Sequence, residues 1–340
     1  DHTGGDALME RRVLVTGGAG FIGSHVADAF VARGARVWIV DDLSSGRRAN
    51  VPAAAELVEM DIGDAALADL FADVGGFDVV SHHAAQIDVR KSVADPRHDA
   101  RINIDGLLNV LENARAHGTG RFVFVSSGGV VYGEPDVRPT PETAPKGPES
   151  PYGVTKLAAE YYLNCYRAVH GLEYAALRYS NVYGPRQDPH GEAGVVAIFC
   201  NRLLAGEALT IFGDGEQTRD YVFVGDVVAA NLAVVDAELP ASAGIDARGF
   251  NVGTGRETSV NELARTLMSS TGITLEVRHA EPRKGELRHS SLDASRLGAL
   301  GWRPGVTLAE GLRRTFEFIA GEATAGAGGS AVHQPPASSH

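Results

Sequence analysis

The chain has 340 residues, of which 44% are hydrophobic and 22% are charged, and its formal net charge is −12. That length can bury the core of one large domain or of two modest ones. The acidic balance argues against a nucleic acid or an anionic membrane as partner, because phosphate groups bind basic surfaces. Cys165 and Cys200 are too few for a disulfide framework or a metal cluster. We expect neither a secretion signal nor a membrane-spanning segment from this sequence, and we therefore predict a cytoplasmic protein.

The first half of the chain alternates strand-like and helix-like segments. Buried-strand patterns occur at 12–16, 36–41, 56–60, 77–81 and 121–126. Helical patterns occur near 21–33, 65–72, 96–117 and 151–170. This alternation predicts an α/β fold in which parallel strands and right-handed helical crossovers form a doubly wound sheet.

A glycine turn follows the first predicted strand. Gly17, Gly20 and Gly23 are spaced three residues apart, and the helix that follows starts with Phe21 and Ile22. Successive N–H groups and the positive end of that helix can face a single anionic group. The sequence therefore predicts a phosphate-binding turn of the kind that holds a dinucleotide.

The second predicted strand ends in two acids, Asp41 and Asp42. Asp41 lies about twenty residues beyond the turn, where a carboxylate can accept both ribose hydroxyls of NAD. Asp42 either binds the same ribose or caps its own loop. The paired acids disfavour NADP, whose 2′-phosphate would meet a negative charge, although Arg47 and Arg48 lie nearby.

Three further strands end in polar or small residues. Asp61-Ile62 follows the third strand, His82-His83-Ala84-Ala85 the fourth, and Ser126-Ser127 the fifth. Because ligands bind at the carboxyl ends of the strands in such a sheet, these segments should line one cleft. Adjacent strand residues point to opposite faces, so the two histidines are not expected to share a metal ion.

Tyr152 and Lys156 open the predicted helix at 151–170. Residues four apart share one face of a helix, so both side chains can enter the same cleft. An ammonium close to a phenol favours the phenolate, which lets a tyrosine act as a base nearer neutral pH. The same lysine can also bind the nicotinamide ribose.

Taken in order, these motifs resemble those of the extended short-chain dehydrogenase/reductases over about residues 11–320. Within them the chain is most similar to the nucleotide-sugar 4-epimerases of the UDP-galactose 4-epimerase group. The resemblance implies retained NAD and cofactor contacts from Gly17, Gly20, Phe21, Ile22, Gly23, Asp41, Asp42, Asp61, Ile62, Ala84, Ala85, Asn103, Tyr152, Lys156 and Tyr179.

The resemblance also implies a reaction. Tyr152 would remove the proton from the sugar O4, hydride would pass from C4 to NAD, and the 4-keto sugar would turn over before hydride returns. A hydroxyl residue normally assists, four positions before the tyrosine of the Val-Tyr-Gly segment. Here that position is Gly128, so the hydroxyl must come from Ser127 or, as second choice, Ser126.

The same segment distinguishes the reaction classes. In the related dehydratases an Asp-Glu pair follows the hydroxyl residue, and the decarboxylases have a glutamate there. This chain has Gly129 and Val130, and no acid occurs between Ser127 and Glu134. Epimerisation is therefore predicted, with a 4-ketoreductase, a dehydrogenase or a UDP-glucuronate 4-epimerase as the alternatives.

On the substrate side, the resemblance implies that Arg219, Arg283 and Asn181 contact the diphosphate of a UDP-sugar, with Phe212 near the base. Arginine suits pyrophosphate because its fork can donate two parallel hydrogen bonds. Ser290 aligns with a residue that controls the size of the sugar pocket. A small side chain there predicts that N-acetylated sugars are accepted besides glucose and galactose.

The predicted organisation is a Rossmann-like doubly wound parallel sheet with a smaller mixed α/β C-terminal substrate lobe. Residues 11–180 form the NAD-binding domain, to which the segment near 226–252 returns. The lobe comprises residues 181–225 and 253–320, with a strand at 275–277. Disordered termini are expected at 1–10 and 322–340. The resemblance further implies a homodimer formed through the helices at 96–117 and 151–170.

Overall fold

The computed structural model describes residues 8–188, 194–282 and 287–328. Its strands are β1 (Arg12–Thr16), β2 (Arg36–Asp41), β3 (Glu56–Glu59), β4 (Val79–His82), β5 (Arg121–Ser127), β6 (Tyr174–Tyr179), β7 (Asn181–Tyr183), β8 (Leu209–Phe212), β9 (Thr218–Arg219), β10 (Tyr221–Phe223), β11 (Gly249–Val252), β12 (Thr258–Ser259) and β13 (Val277–Ala280). Its α-helices are α1 (Phe21–Ala32), α2 (Leu67–Val74), α3 (Val89–Ala94), α4 (Pro96–Ala100), α5 (Leu107–Ala116), α6 (Gly128–Val131), α7 (Pro151–His170), α8 (Val195–Ala205), α9 (Val224–Val235), α10 (Ile245–Arg248), α11 (Val260–Thr271), α12 (Ser295–Gly298) and α13 (Leu308–Gly328).

Seven strands form one sheet in the order β11-β6-β5-β4-β1-β2-β3, and every neighbouring pair in it is parallel. The order reverses between β1 and β4, because β1 to β3 extend to one side and β4 to β6 to the other. A crevice forms at such a reversal, outside the carboxyl ends of the strands, and α/β sheets bind their ligands there. The predicted doubly wound parallel sheet is confirmed.

Apolar residues cover both faces of this sheet, because neighbouring residues of a strand point to opposite sides. On β1, Val13 and Val15 belong to the same buried cluster as Phe30 of α1. Leu14 lies in the cluster on the other face with Phe71 of α2. All five side chains are fully buried, and each such burial contributes about 1.5–3 kcal/mol. The sheet is therefore a rigid base for the loops at its carboxyl edge.

The five strands predicted in the first half lie within about two residues of those observed, but β6 was not predicted. Its sequence, Tyr-Ala-Ala-Leu-Arg-Tyr, has two adjacent alanines, which are weak strand formers. It is a strand because it pairs with β5 on one side and β11 on the other, and all of its residues are buried. Tertiary pairing outweighs local propensity here.

The helical segment predicted at 96–117 is not uniform. A π-helical stretch, Arg101–Gly106, separates α4 from α5. Such insertions re-aim side chains and often occur at functional sites. The buried residue Asn103 lies within this stretch, so the irregularity falls at a residue predicted to contact the cofactor.

The second half contributes three small two-stranded sheets, β10-β7, β12-β9 and β13-β8. A separate apolar cluster joins the β10-β7 and β13-β8 sheets to α8, α11 and α13 through Phe199, Leu263 and Leu312. The strand predicted at 275–277 lies at Val277–Ala280 instead, because it pairs residue by residue with β8. The segment Gly249–Val252 returns to the main sheet as β11, as expected.

The structure describes part of each terminal segment that the sequence predicts to be disordered. Leu8 is 2% exposed and packs in the main core, while residues 1–7 lie outside the described part. At the other end α13 continues to Gly328, so the first residues of the segment 322–340 are helical. None of the helices in the described part is both long and apolar enough to cross a membrane.

Candidate active site

The turn between β1 and α1 has the close backbone packing that its glycines predict. Gly17 has a φ of +66°, and a Cβ there would lie 2.6 Å from the backbone nitrogen of Ala84. Positive φ favours glycine because other side chains clash with the backbone. A Cβ on Gly23 would collide with the carbonyl oxygen of Gly17. The two glycines therefore allow α1 and the loop after β4 to close around the turn.

Helix α1 begins directly after this turn without a side-chain cap. Its N-cap residue, Gly20, provides no side-chain hydrogen bond, and no acidic residue lies in the first turn of this 12-residue helix. The first N–H groups, which belong to Phe21, Ile22 and Gly23, therefore lie at an uncapped and positively polarised end. This is the helix end at which the sequence predicts that an anion binds.

Asp41 at the end of β2 is 6% exposed and holds the glycine turn. Its Oδ2 accepts a hydrogen bond from the N–H of Ala19 at 2.9 Å, and its Oδ1 accepts one from Leu43 at 2.9 Å. Burial raises the pKa of Asp41, although these hydrogen bonds oppose the shift. Asp42 is exposed and caps its own loop by accepting from the N–H and hydroxyl of Ser44. Asp41 is thus the acid beside the phosphate turn, and Asp42 adopts the loop-capping alternative.

The residues after β3 and β4 lie at the same edge of the sheet. Asp61 is exposed and accepts a hydrogen bond from the N–H of Gly63 at 2.7 Å, whereas Ile62 is buried beneath it. The N–H of Ala84 donates to Thr16 Oγ1 at 3.3 Å, which holds the segment containing Ala84 and Ala85 against β1. The backbone of this segment therefore lies against Gly17.

Asn103 in the π-helical stretch fixes the loop that follows Ala85. Its Oδ1 accepts a hydrogen bond from the N–H of Gln86 at 3.0 Å, and its Nδ2 donates to the Gln86 carbonyl at 2.9 Å. Nδ2 also donates to Asp99 Oδ1 at 3.0 Å. The polar atoms of the Asn103 side chain are therefore bonded to Gln86 and Asp99, and a direct contact of this side chain with the cofactor stays a prediction.

The two histidines of β4 and its loop point in different directions. His82 Nδ1 lies 2.9 Å from Thr16 Oγ1, and His83 Nε2 lies 2.8 Å from Ser81 Oγ. Burial lowers the pKa of His83 to about 3, and the Lys156 cation adds to this effect, so the ring is neutral. His83 Nδ1 is buried and has no hydrogen-bond partner in the described part of the chain.

Helix α7 brings the predicted phenol and ammonium together. Ser150 caps its start by accepting a hydrogen bond from the N–H of Gly153 at 3.1 Å. One turn apart on its inward face, Tyr152 and Lys156 are only 9% and 4% exposed. Lys156 Nζ lies 5.8 Å from the centre of the Tyr152 ring. The helical spacing alone accounts for this arrangement.

Lys156 is held in a largely apolar pocket. Its Nζ donates to the carbonyl of Val125 at 2.9 Å and lies 4.9 Å from the centre of the Phe124 ring. Burial lowers the pKa of Lys156 to about 8, while two carboxylates, Asp99 and Glu160, act in the opposite direction. Lys156 is therefore mainly protonated at neutral pH and loses its charge as the pH rises through about 8.

The two candidate serines at the end of β5 point to opposite sides, as adjacent strand residues do. Ser126 is 1% exposed and its hydroxyl donates to Glu160 Oε1 at 2.5 Å. Ser127 is half-buried, and its hydroxyl has no hydrogen-bond partner among the residues that the structure describes. Ser126, the second choice for the catalytic hydroxyl, thus donates its hydrogen bond to Glu160 in the core. The hydroxyl of Ser127 is the one that is not bonded to another described residue.

The segment after Ser127 brings no acid into the site. Gly129 and Val130 lie within α6. Glu134 is exposed and its Oε2 accepts a hydrogen bond from the N–H of Arg288 at 3.4 Å. The positions at which elimination or decarboxylation would need an acid or base therefore carry no ionisable group.

Tyr179, predicted to contact the cofactor, ends β6 with its side chain in the core. It is 4% exposed, and its hydroxyl accepts a hydrogen bond from Asn231 Nδ2 at 2.6 Å. Its hydroxyl is therefore committed to Asn231. The next residue, Ser180, has a buried hydroxyl without a partner in the described ranges. The sequence analysis did not single out Ser180. A polar residue directly after a buried parallel strand indicates a position at the ligand-binding edge of the sheet.

The predicted substrate residues lie in the second half of the chain. Asn181 begins β7, where its N–H donates to the carbonyl of Asp220 at 2.9 Å. Arg219 lies in β9 and is half-buried. Phe212 ends β8 and is 36% exposed, whereas Ser290 is 6% exposed. Arg283 lies outside the described residues.

A buried ion pair beneath the site was not predicted. Arg178 of β6 and Glu160 of α7 are both fully buried, with Nη2 and Oε2 2.6 Å apart. Arg178 also donates to the hydroxyl of Tyr132, which donates to Asn251 Oδ1 at 2.7 Å. The pair therefore ties the Val-Tyr-Gly segment to α7. Its signal in the sequence is that Glu160 follows Lys156 by four residues, on the same buried face.

Residues 13–253 match the model of the NAD dependent epimerase/dehydratase family. The chain belongs to this family. It is 50% identical over 314 residues to the UDP-glucose 4-epimerase of Mycolicibacterium smegmatis, with 91% of this chain and 98% of that protein covered. The crystal structure of a UDP-glucose 4-epimerase from Thermotoga maritima with UDP-glucose is 47% identical, with a TM-score of 0.87 and coverage of 92% and 99%. The UDP-glucose 4-epimerase of Thermus thermophilus in complex with NAD is 44% identical, with a TM-score of 0.83 and coverage of 91% and 99%.

The residues of this epimerase-family site fit NAD. The glycine turn leaves no room for a Cβ at Gly17, so a phosphate can approach the backbone closely. The start of α1 is uncapped, and Asp41 lies beside it. His83 Nδ1 and Ser180 Oγ are buried polar atoms at the same edge, without partners in the described chain. NAD is accordingly the cofactor of this chain.

Proposed function

We propose that this chain catalyses the NAD-dependent 4-epimerisation of a UDP-hexose. One observation carries the proposal: a buried phenol and ammonium lie together on α7, and the ammonium binds the Val125 carbonyl of β5. The same strand ends in an uncommitted serine hydroxyl, with no acid in the segment that follows. Tyr152 and Lys156 are one helical turn apart, and Ser127 ends the adjacent strand. The names of similar proteins, a UDP-glucose 4-epimerase and a UDP-galactose 4-epimerase, support UDP-glucose and UDP-galactose as the substrate pair.

The proposed chemistry centres on the proton of the sugar O4 hydroxyl. Tyr152 removes the proton from the sugar O4 and returns it once the keto sugar has presented its other face. The Lys156 charge favours the phenolate form of Tyr152 and binds the nicotinamide ribose. The Ser127 hydroxyl bridges O4 and the phenol. Bound NAD supplies the acceptor and then the donor of the hydride at C4.

The substrate contacts are proposed from the second half of the chain. Arg219 and Arg283 bind the diphosphate, because a guanidinium can donate paired hydrogen bonds to phosphate oxygens. Asn181 adds a further donor, and Phe212 lies near the base. The half-buried setting of Arg219 and the exposed ring of Phe212 are compatible with these roles.

The alternatives use the same Tyr-Lys pair and are separated by the fate of the cofactor. A 4-ketoreductase or dehydrogenase exchanges its cofactor in each turnover, whereas the epimerase regenerates it. We expect denaturation of the purified protein to release NAD into the supernatant. Incubation with UDP-glucose, UDP-N-acetylglucosamine and UDP-glucuronate should invert C4 of the first two without net oxidation. An empty supernatant with stoichiometric redox turnover would favour the reductase, and inversion of UDP-glucuronate alone would favour the uronate epimerase.

Ser290 is proposed to set the width of the sugar pocket. We expect Ser290→Tyr to reduce turnover of UDP-N-acetylglucosamine at least about tenfold, because a phenol ring would fill the space that the N-acetyl group needs. Turnover of UDP-glucose should change by less than about threefold. Initial rates with both sugars measure this, and Ser290→Ala, which keeps the side chain small, should retain both activities. Intact N-acetyl turnover in Ser290→Tyr would contradict the assignment.

A homodimer is proposed through the helices at 96–117 and 151–170. Apolar side chains are exposed on α7 and on α3, the short helix that precedes the segment at 96–117, and such patches mark interfaces in proteins. They are Val93 (63% exposed), Val154 (51%), Tyr161 (58%), Tyr162 (40%) and Val169 (66%). Two copies joined through this face would form a four-helix interface.

Light scattering should therefore give about twice the 35.7 kDa chain mass. We expect Tyr161→Glu to yield a monomer, because a carboxylate would be buried without a partner in the interface. The control Leu204→Glu changes an exposed apolar residue of α8 and should remain dimeric. A monomeric wild-type protein would contradict the proposal.

We also propose a cytoplasmic location. Cys165 and Cys200 are both free thiols. Free thiols persist in reducing compartments, which supports this location.

A further inference from the structure

Asp99 of α4 is a fully buried carboxylate to which the roles above assign no function. Its Oδ1 accepts hydrogen bonds from Gln86 Nε2 at 2.9 Å and from Asn103 Nδ2 at 3.0 Å. Its Oδ2 accepts one from Thr155 Oγ1 at 2.8 Å. All three donors are neutral, and Asp99 forms no ion pair within the described ranges. A buried carboxylate in this state is unfavourable unless a positive charge lies in its surroundings.

Lys156 is likewise a buried charge without an ion-pair partner in the described part of the chain. It directly follows Thr155 on α7 and is 4% exposed. Its Nζ donates to the carbonyl of Val125 at 2.9 Å, and within the part of the chain that the structure describes it has no ion-pair partner. The ammonium therefore also needs a compensating charge in its surroundings.

Glu160 is the other carboxylate whose charge acts on Lys156. It is on the same helix, but it is bound by the guanidinium of Arg178 at 2.6 Å, and both side chains are fully buried. Much of its charge is therefore compensated by Arg178. The carboxylate without a cation bonded to it is Asp99.

The remaining groups that face Lys156 are neutral. Burial lowers the pKa of His82 and of His83, and the Lys156 charge contributes to both shifts. Tyr152, on the preceding turn of α7, is the phenol that Lys156 acts on. Neither the histidines of β4 and its loop nor the protonated phenol can supply the negative charge.

We propose that Asp99 is a positioning residue that keeps Lys156 protonated, so that Lys156 can favour the phenolate form of Tyr152. This inference rests on the proposed roles of Tyr152 and Lys156. Asp99 itself touches neither substrate nor cofactor. It acts by its charge, and the hydrogen bond from Thr155 shows that the carboxylate lies against the turn of α7 that carries Lys156.

Asp99→Asn isolates the charge from the hydrogen bonds. The amide oxygen can still accept from Gln86 and Asn103. The Thr155 hydroxyl lies 3.0 Å from the carbonyl of Tyr152, to which it can donate. It can therefore accept a hydrogen bond from the new amide while donating to that carbonyl. The variant thus changes the charge and leaves the bonding pattern in place.

The test is the pH dependence of kcat/KM for the NAD-loaded protein with UDP-glucose. Burial already lowers the pKa of Lys156 to about 8, and Asp99 is the larger of the two opposing carboxylate influences. Without that charge Lys156 loses its proton at lower pH. We expect the alkaline limb of the profile in Asp99→Asn to move by about one pH unit toward neutrality, with about tenfold lower kcat/KM above the limb.

Two controls separate charge from structure. Thr155→Val removes a hydrogen bond but keeps the Asp99 charge, so its alkaline limb should stay in place. Asp226→Asn changes another buried carboxylate, one that accepts hydrogen bonds from the N–H groups of Gly305 at 2.9 Å and Val306 at 3.2 Å. It should also leave the limb unmoved.

An unmoved limb in folded Asp99→Asn would overturn the inference. If that variant does not fold, the side-chain nitrogen shift of Lys156 in wild-type protein labelled with 15N-lysine decides. It should be that of an ammonium at neutral pH, because the pKa of Lys156 is about 8, and a neutral amine at pH 7 would overturn the inference. A different result, activity retained in Tyr152→Phe, would overturn the proposed function itself.

Discussion

Replacement of Tyr152 by phenylalanine is expected to abolish epimerisation while leaving NAD bound. The loss should reach about 10²- to 10⁴-fold in kcat, the range for a general acid–base residue. The ring is only 9% exposed, so phenylalanine keeps its packing. The backbone N–H of this residue donates to Ser92 Oγ at 3.2 Å, which the substitution does not touch. Initial rates with UDP-glucose, together with NAD released on denaturation, measure both parts of the prediction.

The matched control is Tyr161→Phe, which removes a hydroxyl from an exposed tyrosine of the same helix and should leave the rate unchanged. In the same assay Ser127→Ala should lower kcat, because the bridging hydroxyl is lost. Ser126→Ala should act mainly on stability, since its hydroxyl bonds to Glu160 in the core. More than about a tenth of the wild-type rate in Tyr152→Phe would remove this residue from its assigned role.

Replacement of Glu160 by glutamine is expected to lower the free energy of unfolding by about 3–5 kcal/mol, the range for breaking one side of a buried ion pair. Arg178 is fully buried and would lose its main counter-charge. Burial opposes the charged guanidinium, but the Glu160 carboxylate raises the pKa of Arg178 above its ordinary value, so the arginine stays charged. Asp246, with Oδ1 at 2.9 Å, remains as a weaker and more exposed partner. Denaturant unfolding curves measure the loss.

The control for this prediction is Glu276→Gln, which breaks an exposed pair with Arg278. Because ion pairs in water contribute little, the unfolding midpoint should not change. A second substitution, Arg178→Met in the Glu160→Gln background, should recover part of the lost stability by removing the uncompensated charge. A wild-type midpoint for Glu160→Gln alone would show that the pair does not stabilise the fold.

Local rules were enough to predict the phosphate turn and the Tyr-Lys pair. The close approach at Gly23 involves Gly17 of the same turn, and the positive φ of Gly17 is one that glycine adopts without strain. Tyr152 and Lys156 share a face because of helical periodicity alone. The alternation of strand-like and helix-like segments likewise predicted the parallel sheet, because a helical crossover lets successive strands run in the same direction.

Other features depended on partners distant in the sequence. Ser126 and Ser127 are adjacent and chemically identical, and only the packing of α7 against β5 decides which of them meets Glu160. Strand β6 forms because two strands flank it, not because of its propensity. The hydroxyl of Tyr179 accepts a hydrogen bond from Asn231 of α9, which is 52 residues further along the chain. No local pattern contains these contacts.

The sequence by itself determined the sheet type, the phosphate-binding turn and the paired phenol and ammonium. The turn and the pair follow from spacing within one element, and the sheet type follows from the alternation of strand and helix patterns. Only the tertiary structure decided which charges compensate one another, as in the pairing of Glu160 with Arg178 and the isolation of Asp99. The physical reason is that the effect of a buried charge depends on what surrounds it, and those surroundings are assembled from segments far apart along the chain.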